Sequence, residues 1–148
     1  MGNTFISDIR DKAAKKFLKV AFPDAEDVRT LKAALTLKEK KIADPILVGP
    51  AAAIKKIAAD NGLDIGAVPI VDPAADAAKA ELANVLYEKR KAKGMTPEQA
   101  AETAKSPLYY AGLLLATDKV GAVVGGNLSS TGDVIRAAIH TVGTAPGI

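Results

Sequence analysis

Apolar residues recur along this chain in two alternating patterns: short unbroken runs, and stretches with three- and four-residue spacing. The first marks a strand buried on both faces, the second an amphipathic helix. Residues 5–16 predict a short amphipathic helix with Ser7 as its cap, and residues 18–22 a first strand stopped by Pro23. Asp24, Glu26 and Asp27 open the next helix, where carboxylates meet the positive end of the dipole. Val28, Leu31, Ala34, Leu35 and Ile42 give that helix its apolar face. Residues 46–48 form a second strand between Asp44-Pro45 and Gly49-Pro50. Pro50 suits the first position of a helix that carries Ile54, Ile57 and Ala58 and ends at Asn61-Gly62. Residues 68–71 read as a third strand, with Pro69 placing it at an edge or at a strand start. A long helix spans 76–93 and closes at Gly94, and Thr96-Pro97-Glu98-Gln99 has the form of a capping box. Ser106-Pro107 begins a helix with Tyr109, Tyr110 and Leu113–Leu115; residues 120–124 form a fourth strand and 131–142 a last helix.

Short apolar strands alternating with helices imply an α/β fold, a three-layer αβα arrangement around a mainly parallel sheet. With no repeat and no linker-like tract, residues 1–148 read as a single domain. Parallel sheets bind ligands outside the carboxyl ends of their strands. Those ends here are Pro23-Asp24, Gly49-Pro50, Asp72-Pro73 and Gly125-Gly126-Asn127.

Composition narrows the chemistry. The 148 residues are 49% hydrophobic and 25% charged, as in an ordinary globular protein, but only 4% aromatic, so the core must be Ala, Val, Ile and Leu. The net charge of +3 comes from scattered lysines with no interleaved aromatics, which argues against nucleic acid and suits a small anion. The absence of cysteine removes disulfides, thiolate metal sites and a cysteine nucleophile. A catalytic triad or histidine metal site would rest on His140 alone, and its place on a periodic helix reads as surface or packing. No apolar run approaches the roughly 20 residues needed to span a bilayer. Together with an N-terminus that lacks a signal-peptide core, this makes the cytoplasm the expected location.

The densest candidate site runs from Val120 to Arg136: strand, glycine turn, three hydroxyls, helix start, arginine. Gly125 and Gly126 can form a turn that approaches phosphate, or supply plain strand-to-helix geometry. Ser129, Ser130 and Thr131 can hold a ligand oxygen, or one of them can cap the helix. Arg136 can fold back and clamp an anion beside bare backbone N–H groups, or pair with Asp133 on the surface. Arg90 sits at a basic helix end, which the dipole alone explains. The acidic group at 24–27 has no partner ligands spaced around it, so no metal is expected, and no nucleophile or general base is identifiable. There is no dinucleotide fingerprint and no P-loop lysine. From these residues the expectation is a domain that binds a small phosphorylated ligand.

Five ordered segments carry a resemblance: Phe22–Leu31, Ile42–Gly49, Ile70–Pro73, Tyr87–Gly94 and Gly125–Gly147. Together they resemble the N-terminal part of the phosphate acetyltransferase and phosphate butyryltransferase family. The resemblance implies transfer of an acetyl group between acetyl phosphate and coenzyme A, with orthophosphate released or taken up. It implies coenzyme A as substrate, no tightly bound cofactor, and a two-domain, homodimeric, cytoplasmic enzyme. It places Arg90 and Arg136 at coenzyme A and matches Arg136, Ser130 and Thr131 to the family's phosphate end; Ser129, Gly125 and Gly126 join the expected acyl phosphate contacts from the local reading alone. Many members have His where this chain has Ser129 and Pro where it has Ala137, which bears on the acyl group more than on the fold. The family's second half, which supplies a serine, an arginine and an aspartate, lies beyond Ile148. The expectation is therefore no catalytic residue in this chain, and weak binding with little or no turnover by it alone. A non-catalytic phosphate or nucleotide module, a phosphate butyryltransferase, and another enzyme on the same architecture are the alternatives.

Overall fold

The computed structural model describes residues 4–147. Four strands, β1 (Lys19–Phe22), β2 (Asp44–Val48), β3 (Ile70–Val71) and β4 (Ala122–Val123), form one sheet in the order β3-β2-β1-β4, with every pairing parallel. The helices are α1 (Thr4–Lys16), α2 (Val28–Glu39), α3 (Ala51–Asp60), α4 (Lys79–Arg90), α5 (Pro97–Thr103), α6 (Pro107–Ala116) and α7 (Thr131–Thr141). Side chains alternate across the two central strands, as the pleat requires. Ala21, Ile46 and Val48 face a layer built from Leu82 and Leu86 of α4, Ala100 of α5 and Tyr110 and Leu113 of α6. Phe22 and Leu47 face the opposite layer, with Leu31 and Ala34 of α2 and Ile54 and Ala58 of α3. The expected three-layer αβα arrangement forms.

Several expected boundaries shift, each for a local reason. The first helix starts at Thr4, so Ser7 lies inside it and is not its cap; α1 buries no side chain. Asp27 caps α2 by accepting from Arg29 N, while Ile42 falls beyond the helix end. Pro50 is the N-cap of α3 and not its first residue; the N–H of Ala51 donates to Asp72 Oδ2 at 2.9 Å. β3 and β4 are two residues each and only half-buried, because both are edges paired on one side. Pro69 suits that edge. α4 begins at Lys79, since the backbone from Asp72 to Ala78 turns and the Tyr110 hydroxyl donates to Asp76. After α4 a 3-10 turn over Lys91–Lys93 ends at Gly94. The Thr96–Gln99 capping box forms as read.

α7 packs on α6 and α4. Its approach to α6 depends on Gly112, where an added Cβ would lie 2.2 Å from Thr141 Oγ1. Only a residue without a side chain lets the two helices meet there.

Candidate functional site

β1 lies between β2 and β4, so the chain leaves β1 toward one edge and later returns to its other side. The crevice beyond the carboxyl ends of β1 and β4 is thus the point where the strand order reverses, the usual ligand position in such a sheet. Asp24 follows β1 and Gly125–Ser129 follow β4. The two segments are joined tightly. Asp24 Oδ2 accepts from Gly126 N at 2.6 Å and Asn127 N at 3.0 Å, and Oδ1 accepts from the Ser129 hydroxyl at 2.5 Å. Asn127 Nδ2 donates to Thr30 Oγ1 at 2.6 Å, and Arg29 Nη2 donates to the Asn127 carbonyl at 3.1 Å. Gly126 adopts φ +111°, which a side chain would strain.

This geometry corrects two expectations. Asp24 does not open a helix; it fills the glycine turn. The donors of Gly126, Asn127 and Ser129 are not bare, because the protein's own carboxylate occupies them. Burial pushes the Asp24 carboxyl up, but the hydrogen bonds from Ser129 and the backbone of the turn outweigh it and hold the group below its usual value. Such a charge-assisted cluster makes the turn a rigid support.

At the entrance of α7 the hydroxyls divide. Ser130 is the N-cap: it accepts from Asp133 N at 3.1 Å and donates to Asp133 Oδ2 at 2.7 Å. Thr131 is exposed at the first helical position. Among the described residues, the N–H groups of Thr131 and Gly132 meet no acceptor, as expected for a first turn. Arg136 pairs with Asp133 (Nη1 to Oδ1, 3.1 Å) and its side chain is 62% exposed. The plainer of its two sequence readings is the one that forms. An exposed pair of this kind is worth only about 0–1 kcal/mol, so an incoming anion can recruit the guanidinium at small cost.

A second cation stands nearby. Arg90 ends α4, and its Nε is buried; among the described residues it is the one buried side-chain nitrogen or oxygen without a hydrogen-bond partner. Tyr109 of α6 and His140 of α7 complete the group, Oη lying 2.9 Å from Nδ1. Burial first, and then the positive charges of Arg90 and Arg136, hold the His140 pKa below its ordinary value. Burial raises that of Tyr109, while the same two guanidiniums oppose the rise. The two guanidiniums therefore gather where α4, α6 and α7 meet rather than in the glycine turn. A hollow of about 250 Å³ between Pro23, Asp24, Glu26, Ser106, Leu128 and Ser129 is walled by two carboxylates and suits an anion poorly. Among the described residues no three acidic or histidine side chains are grouped to hold a metal, and no helix is long and apolar enough to cross a membrane.

Sequence reasoning missed Asp24, although it heads one of the four strand ends where ligands gather. Of the two readings of His140, surface or packing, the second forms: it packs on Tyr109, a partner that only the meeting of α6 and α7 supplies.

Residues 4–148 match the family described as phosphate acetyl/butaryl transferase. The chain belongs to that family. Phosphate acetyltransferases of Staphylococcus epidermidis and Acetivibrio thermocellus are each 36% identical to it, over 143 and 144 residues respectively, covering 97% of this chain and 43% of theirs. The EutD phosphotransacetylase of Staphylococcus aureus superposes with a TM-score of 0.86 at 34% identity, over 95% of this chain and 42% of that one. A phosphotransacetylase of Streptococcus pyogenes superposes with a TM-score of 0.91 at 26% identity, over all of this chain and 45% of that one. This family member thus spans under half the length of the relatives it matches.

Proposed function

We propose that this chain is the N-terminal part of a phosphate acetyltransferase, which moves an acetyl group between acetyl phosphate and coenzyme A. The observation that carries the reading is the convergence of Arg90 and Arg136 on Tyr109 and His140, where α4, α6 and α7 meet, in a chain of this family. Arg136 and the N–H groups of Thr131 and Gly132 would receive the phosphate oxygens, and Arg90 would share the anionic part of coenzyme A. Ser130 shapes the helix entrance, while Ser129 and Gly126, with Asn127, hold the turn through Asp24, and Gly125 leaves room for Pro23 against it. The coenzyme A sulfur attacks the acetyl carbon, the carbon–oxygen bond to phosphorus breaks, and orthophosphate leaves with the electron pair. Holding both substrates in line can supply roughly 7–11 kcal/mol of such a barrier. The acceptor of the thiol proton is assigned to the further length that the relatives possess.

The test is thioester formation from acetyl phosphate and coenzyme A, followed by absorbance. A protein that continues this chain to the length of its relatives is expected to turn over, and the 148 residues alone to do so poorly or not at all. Turnover by the short chain would remove the need for the rest; none by the long one would overturn the enzyme reading. In the long protein Arg136→Ala is expected to lower kcat/KM about 10- to 100-fold, the worth of a charged hydrogen bond. Unchanged kinetics would take Arg136 out of the site. Acetyl is preferred here over butyryl because the relatives cited act under the acetyl name. A pocket discriminates by only about 1–3 kcal/mol per methylene, and a direct comparison of both acyl phosphates decides it.

A further inference from the structure

Arg136 and His140 lie one helical turn apart on the same face of α7. Facing them are Tyr109 from α6 and Arg90 from the end of α4. Asp133, a turn before Arg136, is already ion-paired to it. The Tyr109 and His140 rings are tilted by 55° with centroids 5.8 Å apart, and Oη meets Nδ1 at 2.9 Å, so the imidazole is held in one orientation. The buried Arg90 Nε without a partner marks the same corner as incomplete.

We propose that His140 is a proton-linked third cation of this anion site: neutral in the free protein, it takes up one proton when a phosphate group settles between the two guanidiniums. The inference rests on the reading of Arg90 and Arg136 as the anion-binding pair. Its logic is electrostatic. In the free protein an imidazolium would be a third positive charge beside two others, partly withdrawn from water, and both effects oppose it. A bound dianion reverses the sign of the local field, and the proton then becomes favourable.

The hydrogen bond to Tyr109 accommodates both states. In the neutral imidazole Nε2 carries the proton and Nδ1 accepts from the phenol. When solvent delivers a proton to Nδ1, that N–H donates to Oη, and the phenolic hydrogen is released to turn toward a ligand oxygen. Tyr109 keeps its proton throughout, since burial raises its pKa. The switch gains one positive charge and one donor for each anion bound.

His140 is the only histidine in the chain, so its imidazole nitrogen resonances report on this site alone. The probe is inorganic sulfate, which stays a dianion from pH 5 to 8 and so does not titrate with the imidazole. Two readouts are followed in the untagged 148-residue chain: the His140 pKa, and the arginine Nε–H signals. Saturating sulfate is expected to raise the His140 pKa from its low value, and sulfate affinity to rise with falling pH by at most about tenfold per unit. His140→Gln should abolish that pH dependence, while persistence of the same slope in the variant would overturn the linkage. Arg136→Ala should abolish the sulfate-induced shift of the imidazole. Saturable movement of the arginine signals with a static His140 pKa would overturn the proton linkage and leave the anion-binding reading standing. No saturable arginine shift at any pH would overturn both.

Discussion

The Asp24 carboxylate accepts from the N–H groups of Gly126 and Asn127 and from the Ser129 hydroxyl, across more than a hundred residues of chain. Removing it strands backbone donors in a part-buried turn. Hydrogen bonds to a charged acceptor are worth about 1.5–3 kcal/mol, so Asp24→Ala is expected to cost about 2 kcal/mol or more, read as a lower urea midpoint at constant slope. The pH dependence has a definite sign. The folded pKa lies below the model-compound value of 3.8, so the contribution is complete above that value and is lost as pH falls through the folded one. The stability gap between the natural protein and Asp24→Asn should therefore be full near neutrality and shrink below about pH 3.8. A gap constant down to pH 2 would contradict the charge-assisted account. His140 behaves oppositely. Its depressed pKa means the unfolded chain takes the proton first, so stability falls as pH drops below about 6.5. His140→Gln should remove that part of the acid slope.

At the scale of elements, the meeting of α6 and α7 builds the cationic corner and depends on one missing side chain. With Thr141 fully buried and already donating to the Ala137 carbonyl, Gly112→Ala must force the helices apart. Overpacking of this kind costs about 1–3 kcal/mol. The displacement should also weaken the Tyr109–His140 contact, visible as a changed imidazole environment. The two serine N-caps offer a controlled comparison. Ser130 accepts from Asp133 N, whereas Ser106 makes no side-chain cap bond at α6. Ser130→Ala is expected to cost about 1 kcal/mol in chemical unfolding and Ser106→Ala close to nothing. Equal losses would show that the capping bond is not what stabilises α7.

For the molecule as a whole, the notable surface is the outer side of α7 and the neighbouring edge strand. Ile135 and Ile139 are 52% and 48% exposed on α7, Val142 follows them at helical spacing, and Val124 shares a hollow with Val142. Contiguous apolar surface of this kind promotes association. Ile135→Lys with Ile139→Lys should lower self-association in sedimentation and reduce binding of a hydrophobic dye. Unfolding free energy should change little, because neither side chain contributes to the core. A large loss of stability would mean that these side chains are covered.

The order of strands and helices along the chain, the capping box and the glycine turn were legible in the sequence, while Pro69 left the third strand open between an edge and a strand start until the sheet order put it at the edge. Each depends on local periodicity or on backbone chemistry within a few residues. The sequence also carried the family resemblance, because ordered short motifs survive without any contact being known. Its limits appear where partners are distant. Which donors of the glycine turn stay free was decided by Asp24, which pairing across the sheet carries to that turn. Whether His140 was a surface residue was decided by Tyr109 and Arg90, delivered by two other helices. Local spacing determines which elements form, but only their packing brings remote charges into one dielectric environment, and it is there that the chemistry of the site is set.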